Sequence, residues 1–239
     1  MFIATPSFNS TSLNNSTLLL PTVSIGNVPQ LTCDLLIHTL RMERVGFFDT
    51  DTVMPVAGAR EGSDCRGITV PLEVYQTADK QWTCVQQRSP AFKTKRNEYI
   101  ELMTAFVRDH GLKRVVLLTS ADAGLRTDAQ ISSSSLPFRV LESNPDVQDK
   151  VPALEEGPDG VIHGSGLAKR LYIALKDTAP TTLYIMFALE GDNAMDAVAY
   201  ANLLNGVYQI LPAQEGTSWT PPKSWDHLFG TALNQELYQ

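Results

Sequence analysis

The sequence predicts a three-layer α/β/α domain with a twisted, mostly parallel sheet, an antiparallel hairpin at one side of it, and helices on both faces. Two observations carry this expectation. Short apolar runs alternate with segments of helical periodicity, which is the pattern of βαβ units and hence of parallel strands. Two β-rich runs, 68–75 and 82–88, are separated by only a short polar turn and therefore predict a hairpin.

The first elements follow a polar segment. Residues 1–16 are rich in Ser, Thr and Asn, and we expect them to form a flexible leader. The apolar run 18–24 predicts a buried strand, and the periodicity after it predicts a helix over 28–41. The run 45–48 is the next strand, and the glycines within 49–67 indicate a loop with one short extended piece.

The middle of the chain supplies the hairpin and the most apolar strand. Pro71 lies in the first arm of the hairpin and favours a sheet edge, because proline lacks the N–H that an inner strand donates. A helix over 95–110 carries apolar residues at helical spacing. The run 113–119 predicts a buried strand with basic residues at its entrance.

The second half begins with a long polar segment. Residues 120–166 show no clear period, and their acidic, Pro- and Gly-rich part over 142–166 predicts an irregular loop within the domain. A helix over 166–176, a buried strand over 182–189 and a helix over 193–209 complete the alternation.

Caps and boundaries complete the predicted organisation. Asn27 with Gln30 matches a capping box, and Asn193 is a second expected N-cap. We expect a single α/β domain over 17–230, followed by a flexible C-terminal tail over 231–239.

Composition limits the classes of function. The chain has 239 residues and a net charge of −7, which argues against nucleic-acid binding because such proteins carry a basic face. Cys33, Cys65 and Cys84 are odd in number and share no close spacing, so we expect a reducing compartment and no metal site. The apolar run 18–20 stops at Pro21 and is too short for a signal or a membrane span. We therefore expect a protein of the cytoplasm, and also of the nucleus, with no membrane partner.

Three polar turns follow predicted strands, at 24–27, 119–124 and 189–193. Ligands of α/β sheets bind at the carboxyl ends of strands, so an enzyme of the phosphorylase or hydrolase type would place its site here. Any strand-to-helix turn also needs small polar residues, and we favour that interpretation.

The sequence predicts no catalytic residue, no cofactor site and no metal ligand. Both phosphate-loop patterns are missing, and Ser165 lacks the GxSxG spacing of a nucleophile elbow. The four histidines have no partner at a spacing that implies a dyad, and the nearest approach, Asp34 with His38, is typical of a surface contact. Binding is therefore the better class of explanation.

The C-terminal segment carries an aromatic cluster and an unusual ending. Trp225, Leu228 and Phe229 either pack this segment onto the domain or form a partner interface. The tripeptide Leu237-Tyr238-Gln239 brings together an apolar side chain, a phenol and the carboxylate of the last residue. Such a group of three is a compact ligand for a partner protein.

Four blocks of the sequence resemble the eukaryotic proteasome assembly chaperone 2 family, in family order and over most of the chain. They comprise residues 18–31, Asp34-Leu35-Leu36 and 45–48; residues 114–120, Arg126, Asp128 and Leu136-Pro137-Phe138-Arg139; Glu190-Gly191-Asp192-Asn193 with its helix; and Ser224-Trp225 with Leu228-Phe229-Gly230. The regions 53–95 and 142–160 match weakly.

The resemblance implies a non-enzymatic chaperone with a phosphorylase-like α/β fold. Family members pair with a paralogue, proteasome assembly chaperone 1, and the heterodimer caps the outer face of the α-ring during assembly of the 20S proteasome. In the family and its relatives a C-terminal hydrophobic-Tyr-X motif enters pockets between neighbouring α-subunits, although some members lack it. Leu237, Tyr238 and Gln239 match this motif and are the implied proteasome-binding residues.

Two alternatives remain beside this interpretation. The first is a small-molecule hydrolase or phosphorylase of the same fold, which would use the turns after Ser24 and Thr119 and would need a titratable pair there. The second is a scaffold whose tail binds another ring or domain.

Overall fold

The structure is a computed structural model that describes residues 1–6, 8, 13–60, 67–142, 151–155, 157, 160–211 and 218–227, without the side chains of residues 142 and 227. These residues contain ten strands and five α-helices. In chain order they are β1 (Phe2–Ala4), β2 (Thr17–Pro21), α1 (Val28–Thr39), β3 (Glu43–Phe48), β4 (Gly58–Ala59), β5 (Ile68–Thr69), β6 (Leu72–Gln76), β7 (Trp82–Gln87), α2 (Arg96–Asp109), β8 (Arg114–Asp122), α3 (Asp128–Ser132), β9 (Phe138–Glu142), α4 (Ala168–Leu175), β10 (Thr181–Ala188) and α5 (Ala194–Tyr208).

Eight strands form one sheet in the order β1-β3-β6-β7-β2-β8-β10-β9, while β4 and β5 pair separately. The neighbours β7, β2, β8 and β10 are parallel. Strand β6 is antiparallel to both β7 and β3, so β3 runs in the same direction as the parallel set, and five of the eight strands point one way. The predicted class, a mostly parallel sheet with an antiparallel hairpin, is confirmed; the hairpin is β6–β7.

The sheet separates two apolar cores, which gives the three predicted layers. Strands β8 and β10 are buried on both faces, as their continuous apolar runs require. On one face, α2 and α4 pack Met103, Phe106 and Leu171 against the sheet. On the other face, α1 and α5 pack Leu36 and Leu204.

Part of the predicted leader differs from expectation. Phe2–Ala4 forms β1, which pairs antiparallel with β3 at one margin of the sheet. The Phe2 ring lies 5.3 Å from the ring of Phe106, and Leu13 is buried. Composition favoured a flexible leader because Ser, Thr and Asn dominate it, but its few apolar residues pack on the core and hold this segment.

Strand β6 also corrects a prediction, because it lies inside the sheet between β3 and β7 rather than at an edge. The strand begins at Leu72, so Pro71 stands just before it and needs to donate no ladder hydrogen bond. The Pro71 carbonyl instead accepts from the Arg88 amide at 2.8 Å.

Neither predicted asparagine cap forms. Asn27 adopts a left-handed conformation at the end of a 3-10 turn, Ile25–Asn27, and makes no side-chain cap bond. The Asn193 side chain is likewise not a cap; it holds the turn in front of α5. A complete capping box occurs instead at Thr127 and Gln130, where α3 begins inside the predicted irregular segment.

The segment 120–166, which was predicted to be irregular, also contains β9, which pairs antiparallel with β10 and is the edge strand of the sheet. The described residues between 151 and 166 contain no helix or named strand. None of the helices in the described ranges is long and apolar enough to cross a membrane.

Candidate functional site

The three turns singled out in the sequence meet at one edge of the sheet. Strands β2, β8 and β10 are parallel neighbours, so their carboxyl ends lie side by side. The hydroxyls of Ser24 and Ser120 are 2.8 Å apart, and the Ser120 amide donates to the Ser24 hydroxyl at 3.0 Å. The structure therefore brings together the first two turns at the carboxyl ends of β2 and β8.

The third turn reaches the first through Gly26 and Asn193. Gly26 has a positive φ of 65°, and a Cβ there would lie 2.7 Å from Asn193 Oδ1. Asn193 Nδ2 donates to the Leu189 carbonyl at 3.0 Å and to the Asp196 carboxylate at 2.7 Å. The two hydrogen bonds hold the turn between β10 and α5 in shape, and the lack of a side chain at Gly26 lets the turn before α1 lie close to it.

The segment over 160–166 crosses the same edge and is fastened by its backbone. The His163 carbonyl accepts from the Asp122 amide at 2.9 Å, and the Gly164 carbonyl accepts from the Ile25 amide at 2.9 Å. A Cβ on Gly166 would lie 2.2 Å from the Val23 carbonyl oxygen, so only glycine permits this approach.

Hydroxyl groups near the carboxyl ends of β2 and β8 also hold the segment over 160–166. Thr22 Oγ1 donates to Thr119 Oγ1 at 2.9 Å, and Thr119 Oγ1 donates to the Ser165 carbonyl at 3.1 Å. Ser165 itself is buried and donates its hydroxyl to the Ile162 carbonyl at 2.6 Å. The hydroxyls of Thr22, Thr119 and Ser165 therefore all take part in the local hydrogen bonding of this segment.

A cleft of about 230 Å³ opens beside these turns, at the ends of β8 and β10. Phe187, Leu125 and Val161 supply much of its apolar lining, and its titratable residues are Asp122, Glu155, His163 and Lys169. Asp122 Oδ1 accepts from the Gly124 amide at 2.8 Å, and Lys169 donates to the Gly160 carbonyl. Periodicity alone could not locate this cleft, because α3 and the segment after β9 complete it.

A buried arginine holds Glu155, one of the residues that line the cleft. Arg139 in β9 is fully buried and donates to the Glu155 carboxylate at 2.9 Å. Burial acts to raise the pKa of Glu155, but hydrogen bonds from Ser133 and Arg139 outweigh it and hold that pKa below its ordinary value. The Glu155 carboxyl therefore stays ionised at neutral pH, and its bond to Arg139 ties the segment around Glu155 to the sheet.

Two of the three cysteines lie in the described part of the chain. Cys33 and Cys84 are buried free thiols, and burial raises the pKa of Cys33, while Cys65 lies outside the described residues. In the described ranges, His, Cys, Asp and Glu form no group of three that could hold a metal ion.

Of the predicted interface residues, the structure describes only Trp225. It lies in a 3-10 turn, Lys223–His227, and packs against the cluster of Leu35, Ala197 and Ala201 between α1 and α5. Its indole N–H is buried and has no hydrogen-bond partner among the described residues. Leu228 and Phe229, and the tail residues Leu237, Tyr238 and Gln239, lie outside the described residues.

Known proteins with the same fold include two proteins of one archaeon. PbaA of Pyrococcus furiosus, an archaeal homolog of proteasome-assembly chaperone, superposes with a TM-score of 0.66 at 16% identity, over 85% of this chain and 86% of PbaA. PbaB of the same organism, an archaeal proteasome activator, gives a TM-score of 0.63 at 14% identity, over 89% of this chain and 90% of PbaB. These identities show a shared fold alone.

Sequence comparison identifies closer relatives. A protein of Danio rerio named Proteasome assembly chaperone 2 is 34% identical over 250 residues, which cover 95% of this chain and 96% of the relative. The Homo sapiens protein of that name is 32% identical over 251 residues, with coverages of 93% and 94%. The sequence model of the PAC2 family matches residues 18–212, which run from β2 to α5 and leave only β1 of the large sheet outside the match. The chain is therefore a member of the PAC2 family.

Proposed function

We propose that this chain is a subunit of a proteasome assembly chaperone. The observation that carries the proposal is the identity of 34% to a protein of that name, over nearly the full length of both chains. The match of the PAC2 family model to residues 18–212 supports the same proposal. In this proposal the chain pairs with a paralogous chaperone, and the heterodimer binds the α-ring of the 20S proteasome in the cytoplasm and nucleus.

The tail is the proposed anchor on the α-ring. Leu237 and Tyr238 would fill a groove between adjacent α-subunits, and the carboxylate of a chain that ends at Gln239 would pair with a lysine of that groove. Three residues give modest affinity alone, and a second tail on the paralogue raises avidity through effective concentration. A modest anchor suits a factor that must leave the finished particle.

The enzymatic alternative receives no specific support from the cleft. Asp122 holds the Gly124 amide, and Glu155 is paired with Arg139, so both carboxylates have structural partners. The Ser24 and Ser120 hydroxyls bond to each other and to nearby main-chain groups. A binding role agrees with the membership of the PAC2 family, and it requires no catalytic group at this edge of the sheet.

Affinity purification of the tagged full chain from its native cells tests the proposal. Recovery of a paralogous chain together with 20S precursors is expected, and recovery of neither would contradict the proposal.

Tyr238→Ala tests the tail mechanism. It is expected to weaken α-ring binding about 30-fold, the effect of losing one strong anchor, whereas the matched tail variant Asn234→Ala should leave the binding unchanged. Equal binding by both variants would refute the tail mechanism even if the chaperone role holds.

A further inference from the structure

Two short paired segments form an exposed apolar surface beyond the carboxyl end of β7. Val53 forms an antiparallel bridge with Ala91, and both side chains pack on the core under α2 and α4. The Met54 amide donates to the Pro90 carbonyl at 3.1 Å, so these two residues lie across from each other. Because side chains alternate along paired segments, Met54, Pro90 and Phe92 point away from the core. Met54 is 47% and Phe92 39% exposed, and exposed Met and Phe side chains are typical of protein interfaces.

A small cleft opens next to Pro90. It has a volume of about 80 Å³ and lies between the segment that follows β2 and the first turns of α2, with Val23, Pro90, Arg96, Tyr99, Leu167 and Leu171 in its lining. Cavities that hold a small molecule are usually larger, about 300 Å³ or more. This cleft instead has room for one aliphatic side chain of a partner protein, and a side chain that fills such a cavity is often a main anchor of an interface.

The surface is basic although the whole chain carries a net charge of −7. Lys93 lies in the 3-10 turn that leads from Phe92 to α2, and Arg96 is the first residue of α2; both are exposed. Neither forms an ion pair with a residue that the structure describes, whereas Lys95 between them is paired with Asp51. The surface therefore offers two cations to the carboxylates of a partner.

The nearest acidic side chain of α2 leaves this charge in place. Glu98 follows Arg96 by two residues, and side chains at that spacing do not face each other on a helix. Glu98 acts instead on Lys95, whose pKa it helps to raise together with Asp51. We refer to Met54, Pro90, Phe92, Lys93 and Arg96 as the Phe92 surface.

The sign of the charge limits which chain can occupy the Phe92 surface. A two-fold dimer of this chain would bring two basic surfaces together, and like charges repel. A head-to-tail contact between copies would form a ring or a filament instead of a pair. The occupant is therefore a different chain that carries carboxylates beside an apolar side chain.

We propose that the Phe92 surface binds the paralogous chaperone, through a segment that inserts an aliphatic side chain into the cleft and places Asp or Glu side chains against Lys93 and Arg96. The inference rests on the proposed function, in which the tail contacts the α-ring and the pairing of the two chaperones needs a surface of its own. Met54 and Phe92 surround the anchor with apolar contact, and the two cations steer the encounter and set its register.

Binding of the purified full chain to the paralogous chain that is recovered with it, measured by surface plasmon resonance at low and high salt, tests the inference. Met54→Ser with Phe92→Ser is expected to weaken the affinity about 30-fold, mainly through faster dissociation. Lys93→Glu with Arg96→Glu is expected to lower the association rate at low salt about tenfold and to abolish its decline with salt. Glutamate is favourable in the first turn of a helix, so this variant should keep its fold.

A matched control carries the same kinds of change elsewhere. Met195 is 75% exposed on α5, on the other face of the sheet, and Lys113 is exposed just before β8, at the opposite edge. Met195→Ser with Lys113→Glu should therefore bind the paralogue like the wild type. If the variants of the Phe92 surface also bind like the wild type, this surface is wrong and the pairing in the proposed function stands. If the wild type binds no paralogue, the pairing is overturned together with the surface.

Photocrosslinking identifies the occupant directly. With p-benzoylphenylalanine in place of Phe92, irradiation of a mixture of both chaperones and α-rings should join this chain to the paralogue. A crosslink to an α-subunit and none to the paralogue would overturn the assignment.

Discussion

Among single residues, Arg139 makes the largest set of buried polar contacts around the cleft. Besides Glu155, its guanidinium donates to the carbonyls of Leu136 and Phe138 at 3.0 and 2.8 Å, and to the Ser133 hydroxyl at 3.0 Å. It also lies 5.6 Å from the centre of the Phe187 ring. An arginine this buried is tolerated only because its donors are satisfied.

Replacing Arg139 should therefore destabilise the fold. Arg139→Met leaves the Glu155 carboxylate and the carbonyls of three residues, Gln130, Leu136 and Phe138, without this donor. We expect the free energy of unfolding in urea to fall by about 2–4 kcal/mol. Arg126 is the matched control, since it also stacks on Phe187 but is only half-buried. Arg126→Met should cost less than about 1 kcal/mol. Equal losses for the two variants would contradict the role given to the buried contacts.

The Glu155 carboxyl predicts how part of the stability depends on pH. Its pKa in the folded chain lies below the ordinary 4.5, because hydrogen bonds from Ser133 and Arg139 outweigh burial. A depressed pKa means that the folded state holds the proton less tightly than the unfolded state, so stability rises with pH through this range. The contribution should be complete above about pH 5 and should be lost as pH falls through the folded pKa.

Urea titrations of the wild type and Glu155→Gln between about pH 3 and 7 measure this contribution directly. The glutamine variant should be less stable than the wild type at pH 7, and the difference should shrink toward the acid end. A difference that stays constant over the whole range would show that packing, rather than charge, links Glu155 to Arg139.

At the scale of elements, β1 is stabilised by aromatic packing as well as by its pairing with β3. The Phe2 ring lies 5.8 Å from the Phe48 ring, 5.3 Å from the Phe106 ring and 5.2 Å from the His110 ring. We expect Phe2→Ala to lower the free energy of unfolding by about 1–3 kcal/mol, because Phe2 is only half-buried. Phe92→Ala, which removes a ring that is 39% exposed, should change it by less than half as much. Equal effects would support the flexible leader instead.

Elements differ in how far sequence could predict them, for physical reasons. Strands β8 and β10 are continuous apolar runs, and α2 places Tyr99, Met103 and Phe106 on one face, so period and length suffice. Period and length do not identify β9, because Arg139 is charged yet fully buried, and a charged residue normally indicates a solvent-exposed position. Its pairing with β10 is a long-range contact that no local pattern contains.

The candidate site also has features that the sequence could predict and features that it could not. The meeting of the turns at Ser24 and Ser120 follows from the rule that parallel strands end at one edge, so it could be predicted. The fastening of the 160–166 segment by Gly164 and Gly166 could not, because it depends on a close backbone approach between distant parts of the chain. The exposure of Leu189 after β10 and of Met195 in α5 could not be predicted either, because apolar side chains at these positions would suit a core equally well.

For the whole molecule, the decisive feature is that one sheet contributes side chains to two apolar cores, one on each of its faces. Leu18 and Leu20 of β2 face the core under α2 and α4, while Leu19 faces the core under α1 and α5. Strands β8 and β10 contribute to both cores in the same alternating way. Neither core can lose its strands without exposing the other, so we expect a single cooperative unfolding transition.

The tryptophans allow a direct test of this coupling, because Trp82, Trp219 and Trp225 all lie on the α1/α5 side. Leu171→Ala creates a cavity in the core under α4, and Leu204→Ala creates one in the core that contacts two of the tryptophans. Each should lower the free energy of unfolding by about 2–5 kcal/mol, with the tryptophan fluorescence and far-UV circular dichroism midpoints coinciding in urea. The exposed Leu125→Ala should shift neither midpoint appreciably. If Leu171→Ala moved the circular dichroism midpoint and left the fluorescence midpoint in place, the two faces would unfold independently, because the fluorescence reports only the α1/α5 side.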